Sequence, residues 1–288
     1  FANDNLGIQL GASVRGRKVY IVQSLIKPAS DNLLALLMML DIARGAAARE
    51  VHAIIPHFSY ARSDKKDAPR ISITARLVAD LLATAGATHI MTMQLHSPQV
   101  HGFFSIPTDP LTARGLFVDY LRPRLANHDS AVVVAPDAGI AKSAARLAYR
   151  LDLPVAVASK KRFSDTNVQI HKAIRRQVKG YECAIIYDDE IATGTSVIEL
   201  CKLLLKSKIQ HIYVVATHGL FVGDAMKNLT AIPEIREIVV TDTVPIPERK
   251  RHPKLTVLSV ASVFGEAIRK NYHRQSIGSL FSHWEGEG

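Results

Sequence analysis

The sequence predicts an α/β protein in which mainly parallel sheets are flanked by helices. Short apolar segments alternate with helical segments along most of the 288 residues. The apolar segments are continuous runs, which is typical of parallel strands covered on both faces. A loop rich in proline and glycine at residues 97–110 interrupts the alternation, and the pattern restarts after it. We therefore predict two domains, residues 1–113 and 114–288.

The elements of the first domain begin with a predicted strand at residues 19–25. A helix at 32–43 follows, for which Ser30 or Asp31 is a candidate N-cap. The remaining predicted elements of this domain are a strand at 51–58, a helix at 72–85 and a strand at 89–95. In the second domain, strands are predicted at 131–135, 155–158, 183–187, 212–217, 238–241 and 255–260. Helices are predicted there at 140–151, 196–205 and 261–272.

The charge balance indicates anionic partners. Lys and Arg number 36 and Asp and Glu 26, so the formal net charge is +10. Nucleic acid and phosphorylated small molecules both fit that charge. Aromatic residues make up only 6% and do not interleave with a basic stripe, so base stacking on a single strand is disfavoured. We expect phosphorylated small molecules as ligands and no nucleic-acid partner.

The apolar content indicates a globular protein outside the membrane. Hydrophobic residues make up 48%, which excludes disorder as the dominant state. The longest apolar run, residues 33–40, is far shorter than the roughly 20 residues that span a bilayer. No signal peptide is recognisable. Cys183 and Cys201 lie in apolar stretches, so we expect buried thiols, no disulfide framework and a cytoplasmic location.

The segment 185–196 carries the clearest chemical signal. An apolar strand leads to Asp188 and Asp189, and a short loop ending in Thr-Gly-Thr-Ser then opens a helix. Backbone N–H groups and hydroxyls at a helix N-terminus bind anions. Neighbouring carboxylates accept hydrogen bonds from sugar hydroxyls or hold a hydrated Mg²⁺. The pattern predicts a sugar-phosphate site, and the alternative is an acidic loop that only caps the helix.

This segment resembles the ribose-phosphate loop of type I phosphoribosyltransferases and of ribose-phosphate diphosphokinases. Four further segments, in matching order and spacing, favour the second family. They are YARSDKKD at 60–67, MQLHS at 93–97 with GFF at 102–104, VAPDAG at 134–139, and SKKR at 159–162. The resemblance implies two tandem phosphoribosyltransferase-like (type I) domains. It also implies one reaction, in which the 1-hydroxyl of ribose 5-phosphate attacks the β-phosphorus of ATP to give phosphoribosyl diphosphate and AMP.

The resemblance also implies roles for individual residues. Lys160 and Arg162 match the cations of the family's catalytic loop. His96 and Asp137 match ligands of the Mg²⁺ on ATP, and Asp188 and Asp189 would hold the ribose hydroxyls, also through a second Mg²⁺. The expected 5-phosphate contacts are Ala192, Thr193, Gly194, Thr195 and Ser196. The expected ATP contacts are Phe1, Asn3, Asn5, Arg62, Ser63, Asp64 and His96.

Several positions depart from the family pattern. Asn3 and Asn5 stand where the family has carboxylates that read adenine, which leaves the nucleotide preference open. Thr195 stands where the family has a glycine. Because a β-branched residue resists positive φ, we expect Thr195 to strain the loop and weaken sugar-phosphate binding. The resemblance also implies a further strand–helix–strand stretch before Phe1, so the first domain is expected to be truncated at its N-terminus.

Three alternatives to an active diphosphokinase remain open at this point. The departures at Asn3, Asn5 and Thr195 fit a regulatory paralogue that binds nucleotides without turnover. A phosphoribosyltransferase would share the 185–196 loop but has no use for the 60–67 segment. A basic nucleic-acid-binding protein would bind with steep salt dependence.

The resemblance implies a homo-oligomer built from dimers, up to a hexamer, with ATP and ribose 5-phosphate as substrates and no membrane partner.

Overall fold

The computed structural model describes residues 2–3, 5–126, 130–158 and 174–281, and it confirms the α/β fold. Its strands are β1 Lys18–Val22, β2 Glu50–Ile55, β3 His89–Met93, β4 Thr108–Leu111, β5 Ala131–Ala135, β6 Val155–Val157, β7 Cys183–Ile191, β8 His211–Gly219, β9 Ile235–Thr241 and β10 Leu255–Leu258. Its helices are α1 Ala29–Gly45, α2 Thr74–Ala85, α3 Arg114–Leu125, α4 Ala141–Leu151, α5 Thr195–Leu205, α6 Ala225–Thr230 and α7 Ala261–Tyr272. Short 3₁₀ turns lie at Pro98–Phe103, Glu248–Lys250 and Gly278–Leu280. None of the helices in these ranges is long and apolar enough to cross a membrane.

The chain divides into two compact units. One runs to Thr112 and includes the chain from Ala261 onward, and the other is Ala113–Val260. The first division lies beside the predicted boundary at residue 113. The predicted domain 114–288 differs from this division, in which the last segment groups with the first unit. Its contacts explain this: the Thr112 amide donates to the Leu280 carbonyl at 3.0 Å, and Tyr20 donates its hydroxyl proton to Asn271 at 2.7 Å.

The first unit contains a parallel sheet in the order β1-β2-β3-β4. Helices α1 and α2 bury apolar stripes that include Leu36, Leu40, Val78 and Leu82. The sequence prediction missed β4, which reads Thr-Asp-Pro-Leu and carries almost no apolar signal. Proline is tolerated there because β4 is the last strand in the sheet order, where one side of the backbone needs no ladder partner.

A buried polar chain crosses β2, β3 and β4 of this sheet. His52 and His89 face each other through their Nδ1 atoms at 3.0 Å. Glu50 lies 3.2 Å from Nε2 of His52, and Asp109 lies 2.6 Å from Nε2 of His89. Burial lowers the pKa of His52, and the neighbouring charge of His89 adds to the shift against the opposing effect of Glu50. This chain therefore favours a neutral His52 in the folded protein.

The second unit contains a parallel sheet in the order β10-β9-β8-β7-β5-β6. The chain passes from β5 outward to β6 and then returns to the other side of β5 as β7, so the order reverses between β5 and β7. In open α/β sheets, ligands bind beyond the carboxyl ends of the strands at such a reversal. The fold thus points to the ends of β5 and β7 as the place where this unit binds a ligand.

Candidate functional site

The carboxyl end of β7 and the start of α5 form the centre of the candidate site. Asp188 and Asp189 lie in the last half of β7, which continues to Ile191. Residues 192–194 then connect the strand to α5, which begins at Thr195. A residue beyond α5 stabilises this connection, because the Val222 amide donates to the Ala192 carbonyl at 2.8 Å. The strand that carries two carboxylates therefore leads, through a three-residue connection, to the N-terminal amides of an eleven-residue helix.

Gly194, and not Thr195, carries the left-handed backbone of this loop. Gly194 has φ 75° and ψ 0° and is the N-cap of α5. Thr195 is the first helical residue and is absent from the non-glycine residues with positive φ among those the structure describes. The expected strain at Thr195 is therefore wrong. The Thr195 hydroxyl instead lies 3.1 Å from that of Thr193, and both side chains are exposed beside the helix N-terminus.

Asp137 joins the aspartate pair from the end of β5. Its Oδ1 accepts a hydrogen bond from the Gly139 amide at 2.9 Å, which fixes the turn after the strand. A Cβ at Gly139 would lie 3.1 Å from that same oxygen, so the turn favours glycine there. Burial raises the pKa of Asp188 well above its usual range, and the negative charges of Asp189 and Asp137 add to the shift. Three carboxylates are thus close enough to repel one another.

This donor set fits Mg²⁺. Carboxylate oxygens are the protein ligands that Mg²⁺ prefers, and a divalent cation would relieve the repulsion that raises the pKa of Asp188. Within the described ranges, no group of three or more His, Cys, Asp or Glu side chains is already arranged around one point. Mg²⁺ does not require such a cage, because it keeps several waters and is commonly held by one or two carboxylates together with substrate phosphates.

Arg114 and Tyr187 are buried next to the aspartate-bearing part of β7, and neither was predicted as a site residue. Tyr187 is fully buried in β7, directly before Asp188. Its ring packs edge to face on Phe117 of α3, with centroids 6.2 Å apart. Burial raises the pKa of Tyr187 to about 12; the charge of Arg114 opposes that shift, and those of Asp189 and Asp188 add to it. A basic residue on the apolar stripe of a helix was the signal that could have identified Arg114.

The predicted nucleotide residues lie in the first unit. His96 is exposed and follows β3, beyond Gln94 with φ 39°. Arg62 is exposed, whereas Ser63 and Asp64 are half-buried. Ser63 stabilises the start of α2, since its hydroxyl accepts from the Thr74 amide at 3.2 Å and donates to the Ser72 carbonyl at 3.1 Å. The predicted contacts Asn3 and Asn5 are exposed near the start of the chain.

Three predicted residues lie outside the described residues. They are Phe1, Lys160 and Arg162. Their predicted roles in adenine stacking and catalysis stay predictions. Among the predicted residues of the second unit, Asp137, Asp188 and Asp189 interact through their charges, and Ala192, Thr193, Gly194, Thr195 and Ser196 form the adjoining loop and helix start.

Known proteins resemble the chain over nearly its full length. The profile of the N-terminal domain of ribose phosphate pyrophosphokinase matches residues 1–86, and that of the phosphoribosyl synthetase-associated domain matches residues 172–282. The chain is 42% identical to a ribose-phosphate pyrophosphokinase of Deinococcus radiodurans over 285 residues, which covers 98% of this chain and 88% of that one. It is 40% identical to one of Synechococcus elongatus, which covers 98% and 84%. The crystal structure of phosphoribosylpyrophosphate synthetase from Mycobacterium smegmatis superposes with a TM-score of 0.86 at 37% identity, covering 95% of this chain and 89% of that one.

Proposed function

The chain belongs to the ribose-phosphate pyrophosphokinase family, and from this premise we propose how its residues transfer the diphosphoryl group of ATP to ribose 5-phosphate. The observation that carries the proposal is the junction of β7 and α5. There a strand that carries two aspartates leads, through a short connection, to a left-handed glycine at the N-cap of a helix. A single short segment thus offers an anion site beside hydroxyl acceptors, which matches a sugar that carries a phosphate.

The loop and helix start would bind the 5-phosphate. The first amides of α5 have no partner within the helix, and their partial positive charge favours an anion. The exposed hydroxyls of Thr193 and Thr195 lie 3.1 Å apart at this helix start, and the one that accepts from the other keeps its own proton to donate. Ser196 follows in the first turn. The phosphate would therefore fix the position of the sugar without a positively charged side chain in this loop.

Asp188 and Asp189 would then orient the ribose. Carboxylates accept hydrogen bonds from sugar hydroxyls and would select their positions relative to the bound phosphate. The 1-hydroxyl oxygen attacks the β-phosphorus of ATP and releases its proton to solvent. The bond from that phosphorus to the bridging oxygen breaks, and AMP leaves with that oxygen. Such a transfer depends on alignment and charge neutralisation more than on covalent chemistry by the protein. The proposed work of the second unit is that alignment.

His96 and Asp137 are proposed as ligands of the Mg²⁺ on ATP, and Asp188 and Asp189 as ligands of a second Mg²⁺. When bound, Mg²⁺ would supply positive charge to the diphosphoryl group and offset the repulsion among the aspartates. Arg62, Ser63, Asp64, Asn3, Asn5 and Phe1 are proposed to contact ATP. Lys160 and Arg162 are proposed to stabilise the negative charge that develops during transfer.

The test follows both products of the purified chain. The protein is incubated with ATP, ribose 5-phosphate and Mg²⁺, and AMP and phosphoribosyl diphosphate are followed by ³¹P NMR. We expect equal formation of both, dependent on the sugar phosphate and the metal. Asp189→Asn should raise the KM for ribose 5-phosphate, whereas Asp119→Asn, at an exposed aspartate of α3, should not. A folded protein without turnover would contradict the proposal and favour the regulatory paralogue.

The setting of this activity is also proposed. Both cysteines are free and buried, which suits a reducing compartment, so we propose a cytoplasmic enzyme. We further propose that the chain acts as a homo-oligomer, as the family resemblance implies. Sedimentation of the purified chain at several concentrations tests this, and a monomer throughout would contradict it.

A further inference from the structure

A buried positive charge lies on the helix that packs behind the candidate sugar site. Helix α3 buries Arg114, Phe117, Val118 and Leu121, which recur with the spacing of a single helix face. Arg114 itself is 1% exposed. Arginine is almost never fully buried without a compensating partner, because desolvation of the guanidinium is costly. The position of Arg114 therefore requires negative charge or carbonyl oxygen close to it inside this unit.

The face of the sheet that packs against α3 carries a negative charge that can balance Arg114. Tyr187 and Asp189 are two residues apart in β7, so their side chains point to the same face of the sheet. Phe117 contacts Tyr187 from α3, which places the buried face of that helix against this face of β7. Arg114 lies one turn before Phe117 on the buried face of α3, and Asp189 lies two residues after Tyr187 on the same face of β7. The Phe117–Tyr187 contact therefore brings the two charged residues onto facing surfaces of α3 and β7.

Burial narrows the choice of partner. Among the residues that the structure describes, Arg114 is the only buried Lys or Arg. Asp189, which is 7% exposed, is the only buried Asp or Glu in the same set of residues. We propose that Arg114 is a positioning residue that neutralises and orients the Asp189 carboxylate from the sheet face that α3 covers. Asp188 and Asp189 then differ in role, because Asp189 is balanced by the protein and Asp188 is left for a bound cation.

This inference rests on the proposed binding of ribose 5-phosphate by Asp189, and its consequence is specific to the sugar. Removal of the guanidinium leaves a buried carboxylate without its counter-charge, free to turn away from the sugar hydroxyls. Arg114→Met keeps most of the volume and the apolar packing. We expect it to weaken ribose 5-phosphate roughly tenfold or more, the scale of one lost charge-assisted contact. The KM for ATP should stay unchanged, and Arg114→Lys should recover part of the loss.

A double-mutant cycle tests the coupling between Arg114 and Asp189 without an assay of enzyme activity. The variants are Arg114→Met, Asp189→Asn and both together, measured by denaturant unfolding and by calorimetric titration with ribose 5-phosphate in the presence of Mg²⁺. Arg122→Met is the matched control, because Arg122 is exposed on the same helix. The double variant should be more stable than the sum of the single effects predicts, and it should bind the sugar no more weakly than Asp189→Asn alone.

The outcomes separate this inference from the proposed function. Additive effects on stability and binding would overturn the positioning role. If stability is coupled but Asp189→Asn binds ribose 5-phosphate like the parent, the sugar role of Asp189 is wrong and the inference falls with it, while the family activity stands. If Arg114→Met does not fold alone, the double variant decides, because it removes both buried charges. Failure of the double variant to fold as well would overturn the pairing.

Discussion

The left-handed glycine before α5 offers the sharpest single test of the proposed phosphate loop. Gly194 has φ 75°, and any residue with a Cβ would hold that conformation at a cost of about 1–2 kcal/mol. The space itself tolerates alanine: its Cβ would lie 3.4 Å from Cδ1 of Leu229 and 3.7 Å from Cβ of Ala225. Those are ordinary contacts, so the cost of Gly194→Ala comes from the backbone alone.

The functional effect of Gly194→Ala depends on how that strain is relieved. If φ rotates toward negative values, the amides that follow Gly194 turn away from the position proposed for the phosphate. Loss of one hydrogen bond to a charged group costs about 1.5–3 kcal/mol, which corresponds to roughly ten- to a hundredfold in affinity. We expect a rise of that order in the KM for ribose 5-phosphate, with the KM for ATP nearly unchanged.

Gly180→Ala provides the matched control for Gly194→Ala. Gly180 has φ 92°, its Cβ would meet nothing within 4 Å, and it lies before the amino end of β7. Both substitutions should lower the free energy of unfolding by similar amounts, since both place alanine in the left-handed region. Initial rates at varied ribose 5-phosphate and denaturant unfolding of both variants make the comparison. Equal effects on KM, or none in Gly194→Ala, would refute the assignment of this loop to the phosphate.

Three further predictions follow from the same structure. Thr195→Gly should leave the KM for ribose 5-phosphate unchanged or raise it in steady-state assays, because Thr195 is helical and unstrained; a lower KM would contradict this. Burial raises the pKa values of Cys183 and Cys201 to about 12, so a thiol reagent at pH 8 should react with neither thiol until denaturant is added. Rapid labelling of the native chain would contradict this prediction. Because burial lowers the pKa of His52, the unfolded state binds more protons than the folded state as the pH falls through about 6.5, so the free energy of unfolding should decline there. The variant His52→Gln should flatten that decline in unfolding curves measured at several pH values. A decline as steep as that of the parent would argue against this role of His52.

Most of the fold was predictable because its signals are local. Apolar runs located all but one of the strands in the described ranges, and amphipathic spacing located the helices at 74–85, 141–151 and 261–272. Helix α3 was missed, since Arg122, Pro123 and Arg124 in its last turn make its sequence resemble a polar connection. Long-range contacts were also beyond the sequence. The prediction placed the C-terminal segment with the second domain, whereas its contacts with Tyr20 and Thr112 group it with the first unit.

The candidate site likewise has features that the sequence predicts and features that it does not. The placement of Asp137, Asp188 and Asp189 near the carboxyl ends of strands was predictable from the apolar runs that precede them, although β7 extends beyond both aspartates to Ile191. The conformation of the loop was not, because φ at one residue depends on how the strand and the helix join. The family pattern suggested strain at Thr195, whereas the helix starts there and Gly194 alone makes the turn.

Arg114 shows why a site extends beyond the residues that a motif identifies. A motif records side chains that contact the ligand, whereas Arg114 is buried on the face of α3 that packs against β7. Its effect on the sugar would pass through Asp189, over a distance that neither periodicity nor spacing encodes. Two chains that share the aspartate pair can therefore bind ribose 5-phosphate with different strength if only one places a buried cation behind it. A comparison of relatives with and without a basic residue at this position of α3 would measure that difference, and equal sugar affinities would oppose the argument.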